Sequence, residues 1–462
     1  MEPPNLFGTS GIRGIFSKEL SPDFLLKIGL AIARHYGIGS KCIIGWDCRT
    51  TSEVIVDLLA GGLASGGVNV IKCGCITTPA FQKYLQHTTD FDFGIMITAS
   101  HNPPEYNGLK LINRNGLEEY IQVEKEISKI FYKKEFSSVN WRQVGEIKYL
   151  NREIIIETYV KSLINVLSTA AKENKFKIVF DFANCVSIIP ICEFISRLNN
   201  VDPVLINSEL RGDFPSRDSE PRPDNLLELS SKVVENNADF GVGFDGDGDR
   251  ALIVDDKGKI WWGDQYGTLI ARYLYHEKGL KSVVTPVTSS SVVDIVLQAL
   301  HGFRVYRTKV GAKHIVKKMI DIGSKFGFEE NGGIIYAPHS YTRDGGIATV
   351  LLMNTLAFYS NSLSCLMSNI PKLYQVKQKV YLNNRNMVSL VLKEIEDRYK
   401  SENAEVIRID GLKILWNIDR WVLIRASGTE PVIRVFGEAR SIIDAKRIVN
   451  EAIKEINEII ND

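Results

Sequence analysis

Apolar and polar positions follow one recurring order along the chain: a short apolar strand, a polar turn, an amphipathic helix and a second apolar strand. The three copies, each given as strand, helix and returning strand, are 42–45, 53–63 and 68–71; 177–180, 191–198 and 204–206; and 282–285, 292–300 and 303–306. Strand–helix–strand units of this length favour parallel strand pairing with right-handed crossovers. The pattern therefore predicts three similar α/β domains.

The C-terminal part of the chain has a different pattern. Two apolar segments, Val422–Ile424 and Val432–Phe436, predict strands separated by a loop that contains glycine. The segment after them carries apolar residues at spacings of three and four from Ile442 to Ile460, which is typical of an amphipathic helix. These elements predict a smaller α+β domain that begins near Pro371. We expect the four domains to occupy residues 1–150, 151–256, 257–370 and 371–462.

Composition and charge exclude two classes of partner. The 462 residues include 56 basic and 55 acidic side chains, so the formal net charge is only +1. Nucleic-acid binding normally requires a basic surplus. No apolar run approaches the roughly 18 residues that span a bilayer, and the N-terminus has no signal-peptide pattern. We therefore expect neither nucleic acid nor a membrane as partner. Seven scattered cysteines are typical of free thiols in a reducing compartment, so we expect a cytoplasmic location.

Three aspartates, Asp245, Asp247 and Asp249, stand at alternate positions between two apolar segments. Alternate side chains of an extended backbone point the same way, and the intervening glycines let the chain curl so that the carboxylates converge. Three negative charges this close repel one another unless a cation joins them, and Mg²⁺ prefers such oxygen ligands. A solvated acidic turn is the alternative. A calcium loop of the EF-hand type does not fit, because Arg250 stands where that loop needs glycine.

A serine, Ser100, lies in the loop Thr98–Pro103, directly after the apolar segment Gly94–Ile97. We expect this serine to be exposed at the carboxyl end of a strand, where open α/β sheets bind their ligands. A Ser-His pair adjacent in sequence is usually structural, and no G-x-S-x-G elbow is present. A functional role for Ser100 is favoured by the whole six-residue loop, which is followed closely by Asn107–Lys110. A serine beside a magnesium site is suited to carrying a phosphoryl group.

Two further loops contain groups that bind oxyanions and hydroxyls. Arg425–Pro431 supplies a guanidinium, two hydroxyls and a glycine N–H, and Arg434 adds a second cation. Phe328–Gly333 combines carboxylates with an amide, a combination that suits vicinal sugar hydroxyls. Each loop has a polar turn as its alternative interpretation. The glycine-rich segment Phe7–Gly14 lacks the ending of a P-loop and the spacing of a dinucleotide site, so it predicts no nucleotide binding.

Together these motifs resemble those of the α-D-phosphohexomutases, the family of phosphoglucomutase, phosphomannomutase and phosphoglucosamine mutase. Five motifs stand in the family's order over essentially the whole chain: 7–14, 98–103, 245–250, 329–333 and 425–431. Within the family, the chain resembles a prokaryotic, archaeal-like member. The resemblance implies an α/β fold of three similar α/β domains with mixed sheets, plus a smaller C-terminal α+β domain, around a central cleft.

The resemblance also implies a role for each motif. Ser100 would be the phosphoserine, and Asp245, Asp247 and Asp249 would hold Mg²⁺ with the Ser100 phosphate as a further ligand. The positions that match the reacting centre are His101, Lys110, Arg13 and Arg250, of which Lys110 is a candidate general acid or base. The positions that match sugar and phosphate binding are Glu329, Asn331, Arg425, Ser427, Gly428 and Thr429. Arg434, the second cation near this loop, is a further candidate for substrate binding. The implied reaction interconverts hexose 1-phosphates and hexose 6-phosphates, with a hexose 1,6-bisphosphate as intermediate and activator.

The chain departs from the family pattern in the sugar loop. Many members have Ser-Gly-His where this chain has Asn331-Gly332-Gly333, so the histidine often assigned to proton transfer is absent and the second acid or base stays open. We expect a small phosphosugar substrate, with glucose or mannose phosphate first and glucosamine phosphate as the alternative. A Mg²⁺-dependent sugar phosphatase and an inactive sugar-phosphate binder are the alternatives from other classes. The sequence leaves the assembly open, with a homodimer as one option.

Overall fold

The computed structural model describes residues 4–8, 11–382, 387–399, 404–426 and 432–461. The chain contains three α/β domains with mixed sheets and a smaller C-terminal domain with an antiparallel sheet, as the sequence predicts. By its contacts it divides into two compact units, Met1–Trp261 with Gly333–Ser364, and Trp262–Gly332 with Cys365–Asp462. No helix in the described ranges is both long and apolar enough to cross a bilayer.

The first domain carries the serine loop. Its strands are β1 (Ile12–Ile15), β2 (Lys41–Trp46), β3 (Asn69–Cys75), β4 (Phe93–Ile97), β5 (Tyr106–Asn113) and β6 (Ile147–Tyr149), in the order β1-β5-β4-β2-β3-β6. Its helices are α1 (Pro22–Tyr36), α2 (Ser52–Ser65), α3 (Thr78–His87) and α4 (Ile121–Lys133). β2 is parallel to β3 and β4, which confirms the first predicted unit, whereas β5 runs antiparallel to β4. The serine loop therefore lies at the carboxyl end of β4.

The second domain carries the aspartate loop. Its helices are α5 (Glu153–Val166), α6 (Thr169–Glu173), α7 (Ile188–Ser196) and α8 (Leu227–Glu235). Its strands are β7 (Phe176–Asp181), β8 (Val201–Ile206), β9 (Phe240–Phe244), β10 (Ala251–Asp255) and β11 (Ile260–Trp261), in the order β11-β10-β9-β7-β8. β9 and β10 are buried along their whole length, which is why both are apolar runs. They pair antiparallel, so the loop between them is the turn of a hairpin.

The third predicted strand–helix–strand unit is also present. Its strands are β12 (Ser282–Pro286), β13 (Arg304–Thr308), β14 (Phe326–Phe328), β15 (Ile334–Tyr336) and β16 (Ser340–Arg343). Its helices are α9 (Gly263–Lys278), α10 (Val292–Leu297), α11 (Ala312–Ile322), α12 (Gly345–Tyr359) and α13 (Leu363–Ser368). β12 is parallel to β13 and β14, and β15 pairs antiparallel with β16. α12 is apolar around its circumference because it is buried from Gly345 to Ala357, and the Asp344 carboxylate caps its first turn.

The C-terminal domain is a five-stranded antiparallel sheet covered by helices. Its strands are β17 (Tyr374–Tyr381), β18 (Glu405–Ile407), β19 (Leu412–Asn417), β20 (Arg420–Ala426) and β21 (Val432–Ala439), in the order β17-β21-β20-β19-β18. Its helices are α14 (Met387–Tyr399) and α15 (Ile442–Asn461). The apolar stripe of α15, from Ala445 to Ile456, is buried in one core with the sheet. The amphipathic pattern had predicted this helix.

Candidate active site

The serine loop is a strained turn that is stabilised by hydrogen bonds to buried side chains. Ser100 has a positive φ of 51°, in the left-handed region that non-glycine residues seldom adopt. Its N–H donates a hydrogen bond to Thr98 Oγ1 at 2.8 Å, and its hydroxyl donates to Asp245 Oδ2 at 2.9 Å. The expectation that Ser100 would be exposed is wrong, because its exposed fraction is 0%. The hydroxyl points into a contact with the second domain instead of toward solvent.

A buried arginine that is not among the predicted residues, Arg49, holds this loop. Its guanidinium donates hydrogen bonds of 2.6–3.0 Å to four backbone carbonyls, those of Ser100, Asn102, Pro103 and Tyr106. Its charge is balanced by Asp47, which accepts a hydrogen bond from its Nε at 3.1 Å. Asp47 and Arg49 directly follow β2. A pair of opposite charges at the carboxyl end of an apolar strand was therefore the sequence feature that could have indicated Arg49.

Replacing Arg49 should loosen the serine loop. The Arg49→Met variant leaves Asp47 buried without its counter-charge and four carbonyls without their donor, so we expect local unfolding to become easier by about 3 kcal/mol. Amide hydrogen exchange over residues 98–106, followed by mass spectrometry, should then accelerate about a hundredfold. Arg197→Met is the control, because it removes only surface ion pairs to Glu157 and Glu193. Unchanged exchange in the loop would contradict the role of Arg49.

The aspartate loop brings its three carboxylates together, as predicted. Asp245, Asp247 and Asp249 are all buried, and one ligand oxygen from each lies within 4.8 Å of the others. The glycines permit a close approach: a Cβ on Gly246 would lie 2.2 Å from the carbonyl oxygen of Ser100. Burial, together with the neighbouring charges of Asp249 and Asp247, raises the pKa of Asp245 well above its usual range. Such a cluster is stabilised when a cation joins it.

Cations from two other chain segments contact these carboxylates. Lys110, on β5, donates hydrogen bonds to Asp247 Oδ2 at 2.7 Å and to Asp249 Oδ2 at 3.2 Å. Burial lowers the pKa of Lys110, but the charges of Asp247 and Asp249 outweigh burial and raise it overall. Arg343, at the end of β16, donates to Asp249 Oδ2. Arg343 is not among the predicted residues; its only signal in the sequence is a basic residue directly before the residue that caps α12.

The remaining predicted residues of the reacting centre lie around the serine loop. Arg13 donates to the side-chain oxygen of Asn102 at 2.6 Å. His101 Nδ1 lies 3.4 Å from Ser100 Oγ. Burial, then the charges of Arg250 and Arg13, hold the pKa of His101 well below its ordinary value, which favours the neutral ring. Arg250 Nε lies 3.6 Å from the aspartate that precedes it. The structure thus brings together every predicted residue of the serine and aspartate loops.

The predicted sugar- and phosphate-binding residues belong to the second compact unit. Glu329 and Asn331 follow β14, and the Glu329 side chain is buried. Arg425 on β20 is the direct cross-strand partner of Arg434 on β21. The other predicted members of the phosphate loop lie outside the described residues: Ser427, Gly428 and Thr429. The same holds for Thr9 and Ser10 of the glycine-rich N-terminal segment.

Sequence profiles of four successive domains match this chain in order. They are described as phosphoglucomutase/phosphomannomutase alpha/beta/alpha domain I over residues 4–138, domain II over 157–258, domain III over 262–374, and the C-terminal domain over 379–455. The chain belongs to the phosphoglucomutase/phosphomannomutase family. Members of this phosphohexomutase family are isomerases that transfer phosphate intramolecularly, and this chain is such an enzyme.

Individual relatives match almost the whole length of the chain. A phosphoglucosamine/phosphogalactosamine mutase of Sulfurisphaera tokodaii is 38% identical, over 97% of this chain and 98% of its own length. A phosphoglucomutase/phosphomannomutase of Thermococcus kodakarensis is 34% identical, over 98% of this chain and 99% of its own. Among solved structures, a phosphoglucomutase/phosphomannomutase family protein from Burkholderia thailandensis has a TM-score of 0.85 at 24% identity, covering 99% and 98% of the two chains. That likeness shows a shared fold.

Proposed function

We propose that this enzyme interconverts hexose 1-phosphates and hexose 6-phosphates, with Ser100 carrying the phosphoryl group and a bisphosphorylated sugar as the intermediate. The observation that supports this best is the 2.9 Å contact between Ser100 Oγ and Asp245 Oδ2. It joins a hydroxyl from the first domain to a buried carboxylate cluster of the second. Phosphoryl transfer depends mainly on placement and on compensation of charge, and this contact provides the placement.

The aspartate cluster fits a magnesium ion. Asp247 Oδ1 and Asp249 Oδ1 are buried carboxylate oxygens for which the described part of the chain supplies no hydrogen-bond donor. Buried oxygens of this kind are the ligands that Mg²⁺ prefers. When bound, the ion would offset negative charge on the phosphoryl oxygens. We propose Asp245, Asp247 and Asp249 as its protein ligands, with the phosphate of Ser100 as a further ligand.

The side chains around the serine divide into a base and a set of cations. His101 presents a ring nitrogen 3.4 Å from the Ser100 hydroxyl, so it is our candidate to accept that proton when the serine is phosphorylated. Lys110 is bound between two carboxylates, a position that favours charge compensation over the acid or base role that the family resemblance implies. Arg13 and Arg250 would add positive charge for the transferred group.

The phosphate that is not reacting requires its own site, because the sugar must bind in two orientations over the whole reaction. Arg425 and Arg434 are like charges at paired positions, and an anion between them would relieve their repulsion. We propose that they bind the phosphate that is not reacting, together with Ser427, Gly428 and Thr429. Glu329 and Asn331 would bind sugar hydroxyls. A clamp that recognises only a phosphate serves both orientations equally.

The relatives favour a hexosamine phosphate as substrate. The relative with 38% identity is named for glucosamine and galactosamine phosphates, and one from Methanocaldococcus jannaschii with 34% identity is named a phosphoglucosamine mutase. We therefore propose glucosamine phosphate as a substrate. Glucose or mannose phosphate, which the sequence analysis expected first, is our second candidate. The name of the relative from Thermococcus kodakarensis supports it.

A substrate panel tests this proposal. The 1-phosphates of glucose, mannose, glucosamine and N-acetylglucosamine are supplied in turn with Mg²⁺, with and without a hexose 1,6-bisphosphate primer, and the 6-phosphates are measured. We expect primer-dependent isomerisation, with glucosamine 1-phosphate giving the highest kcat/KM. A higher value for glucose or mannose 1-phosphate would favour the second candidate. Release of inorganic phosphate without a primer, in place of isomerisation, would contradict the mutase proposal itself.

A further inference from the structure

Two arginines of the C-terminal domain occupy paired positions on neighbouring strands. Arg425 on β20 faces Arg434 on β21 across an antiparallel ladder. Directly paired residues project from the same face of a sheet, where like charges repel. Such a pair therefore needs negative charge nearby, both when a phosphate is bound and when it is not.

One carboxylate, that of Asp410, contacts Arg425. Asp410 Oδ2 lies 2.9 Å from a terminal guanidinium nitrogen of Arg425. The same oxygen accepts a hydrogen bond from the backbone N–H of Val310 at 3.1 Å. Val310 lies two residues before the start of α11, in the third domain and in the same compact unit. Asp410 thus joins the arginine to the segment that leads into this helix.

The backbone fixes where Asp410 lies. The next residue, Gly411, has φ +84°, and a Cβ there would lie 2.3 Å from the carbonyl oxygen of Ile424 and 2.7 Å from the Cβ of Arg425. Only glycine allows the chain to lie this close to the arginine just before β19 begins. The carboxylate is therefore held against Arg425 by the course of the main chain.

Arg425 keeps donors for a ligand in this arrangement. The ion pair with Asp410 engages a terminal nitrogen, whereas Nε is buried without a hydrogen-bond partner in the chain segments that the structure describes. A guanidinium is planar and carries its five donors in a fixed fork. Fixing one donor with a carboxylate consequently sets the direction of the others.

We propose that Asp410 is a positioning residue for phosphate recognition. It holds the guanidinium of Arg425 in the orientation that binds the phosphate group of a sugar phosphate monoester. This inference rests on the proposed function, in which Arg425 binds the phosphate that is not reacting. Asp410 acts through Arg425 and does not itself need to touch the substrate.

Steady-state kinetics of an isosteric variant test the proposal. Asp410→Asn keeps the shape but loses the charge that orients Arg425, so we expect KM for the hexose 1-phosphate to rise about tenfold with kcat within about twofold. The requirement for bisphosphate primer should rise as well, because a weakly held intermediate escapes more often. Asp419→Asn is the matched control, because Asp419 forms an ion pair with Arg440 in the same domain. It should leave KM, kcat and the primer requirement unchanged.

A double-mutant cycle separates this inference from the function on which it rests. Arg425→Gln should raise KM about a hundredfold, and adding Asp410→Asn to that variant should change KM little further. Additive effects, or an unchanged KM in an Asp410→Asn variant with the thermal midpoint of the natural protein, would overturn the role of Asp410. An unchanged KM in Arg425→Gln would overturn the phosphate role of Arg425, and the inference with it.

Discussion

Ser100→Ala is expected to lower mutase turnover by at least about 10⁴-fold while leaving the protein folded. The variant keeps the turn and the aspartate cluster but removes the only atom that we propose to carry the phosphoryl group. Incubation of the natural enzyme with a hexose 1,6-bisphosphate should add about 80 Da, one phosphoryl group, to its intact mass. The variant should show neither the added mass nor isomerisation in a coupled assay.

A second serine of the first domain provides the control. Ser128 is also buried, and its hydroxyl donates to the carbonyl of Glu124 within α4. Ser128→Ala should keep both the mass gain and normal turnover. Turnover of Ser100→Ala within tenfold of the natural enzyme would show that another group carries phosphate. Mass gain at a peptide other than the one containing Ser100 would lead to the same conclusion.

Arg343→Met is expected to reduce turnover by roughly 10³-fold, equivalent to about 4 kcal/mol of transition-state stabilisation. Arg343 donates to Asp249, and its charge is the largest influence that opposes the effect of burial and holds the pKa of that carboxyl low. Without it, protons compete better for Asp249 and the carboxylate loses its orientation. Mn²⁺ binding, measured by electron paramagnetic resonance, should weaken about tenfold in the same variant.

The matched variant Arg343→Lys keeps the charge but not the planar fork. We expect it to recover most of the Mn²⁺ affinity and only part of the turnover, because an ammonium cannot reproduce the guanidinium geometry. Thermal unfolding of both variants shows whether the fold is retained. Equal turnover in Arg343→Met and the natural enzyme would remove Arg343 from the reacting centre. Lost turnover with unchanged Mn²⁺ affinity would contradict a role exerted through Asp249.

Much of the fold could be predicted because many of its strands are buried apolar segments and several of its helices are amphipathic. The three strand–helix–strand units have the predicted order and parallel pairing, and the stripe on α15 marks the helix that covers the last sheet. Details that depend on tertiary contacts were less accurate. The helix predicted at 292–300 ends at Leu297. The four domain boundaries stay a prediction.

The candidate site was predictable where its groups are close in sequence. The aspartates alternate within five residues, and Ser100 lies in one short loop, so motif and spacing were sufficient to find them. Arg49 and Arg343 were missed because their significance depends on partners far along the chain, 51 and 94 residues away. The burial of Ser100 was missed for the same reason. The sequence of one loop does not show whether another domain packs over it and buries its side chains.

Burial of the serine hydroxyl has a consequence for the lifetime of the phosphorylated enzyme. Ser100 is fully shielded, and Arg49 holds its loop from within through four carbonyl groups. A phosphate ester formed at this position would be kept from bulk solvent, and hydrolysis requires a water molecule in line with the ester bond. The activated form of the enzyme should therefore survive long intervals without sugar, and a single priming event should support many catalytic cycles.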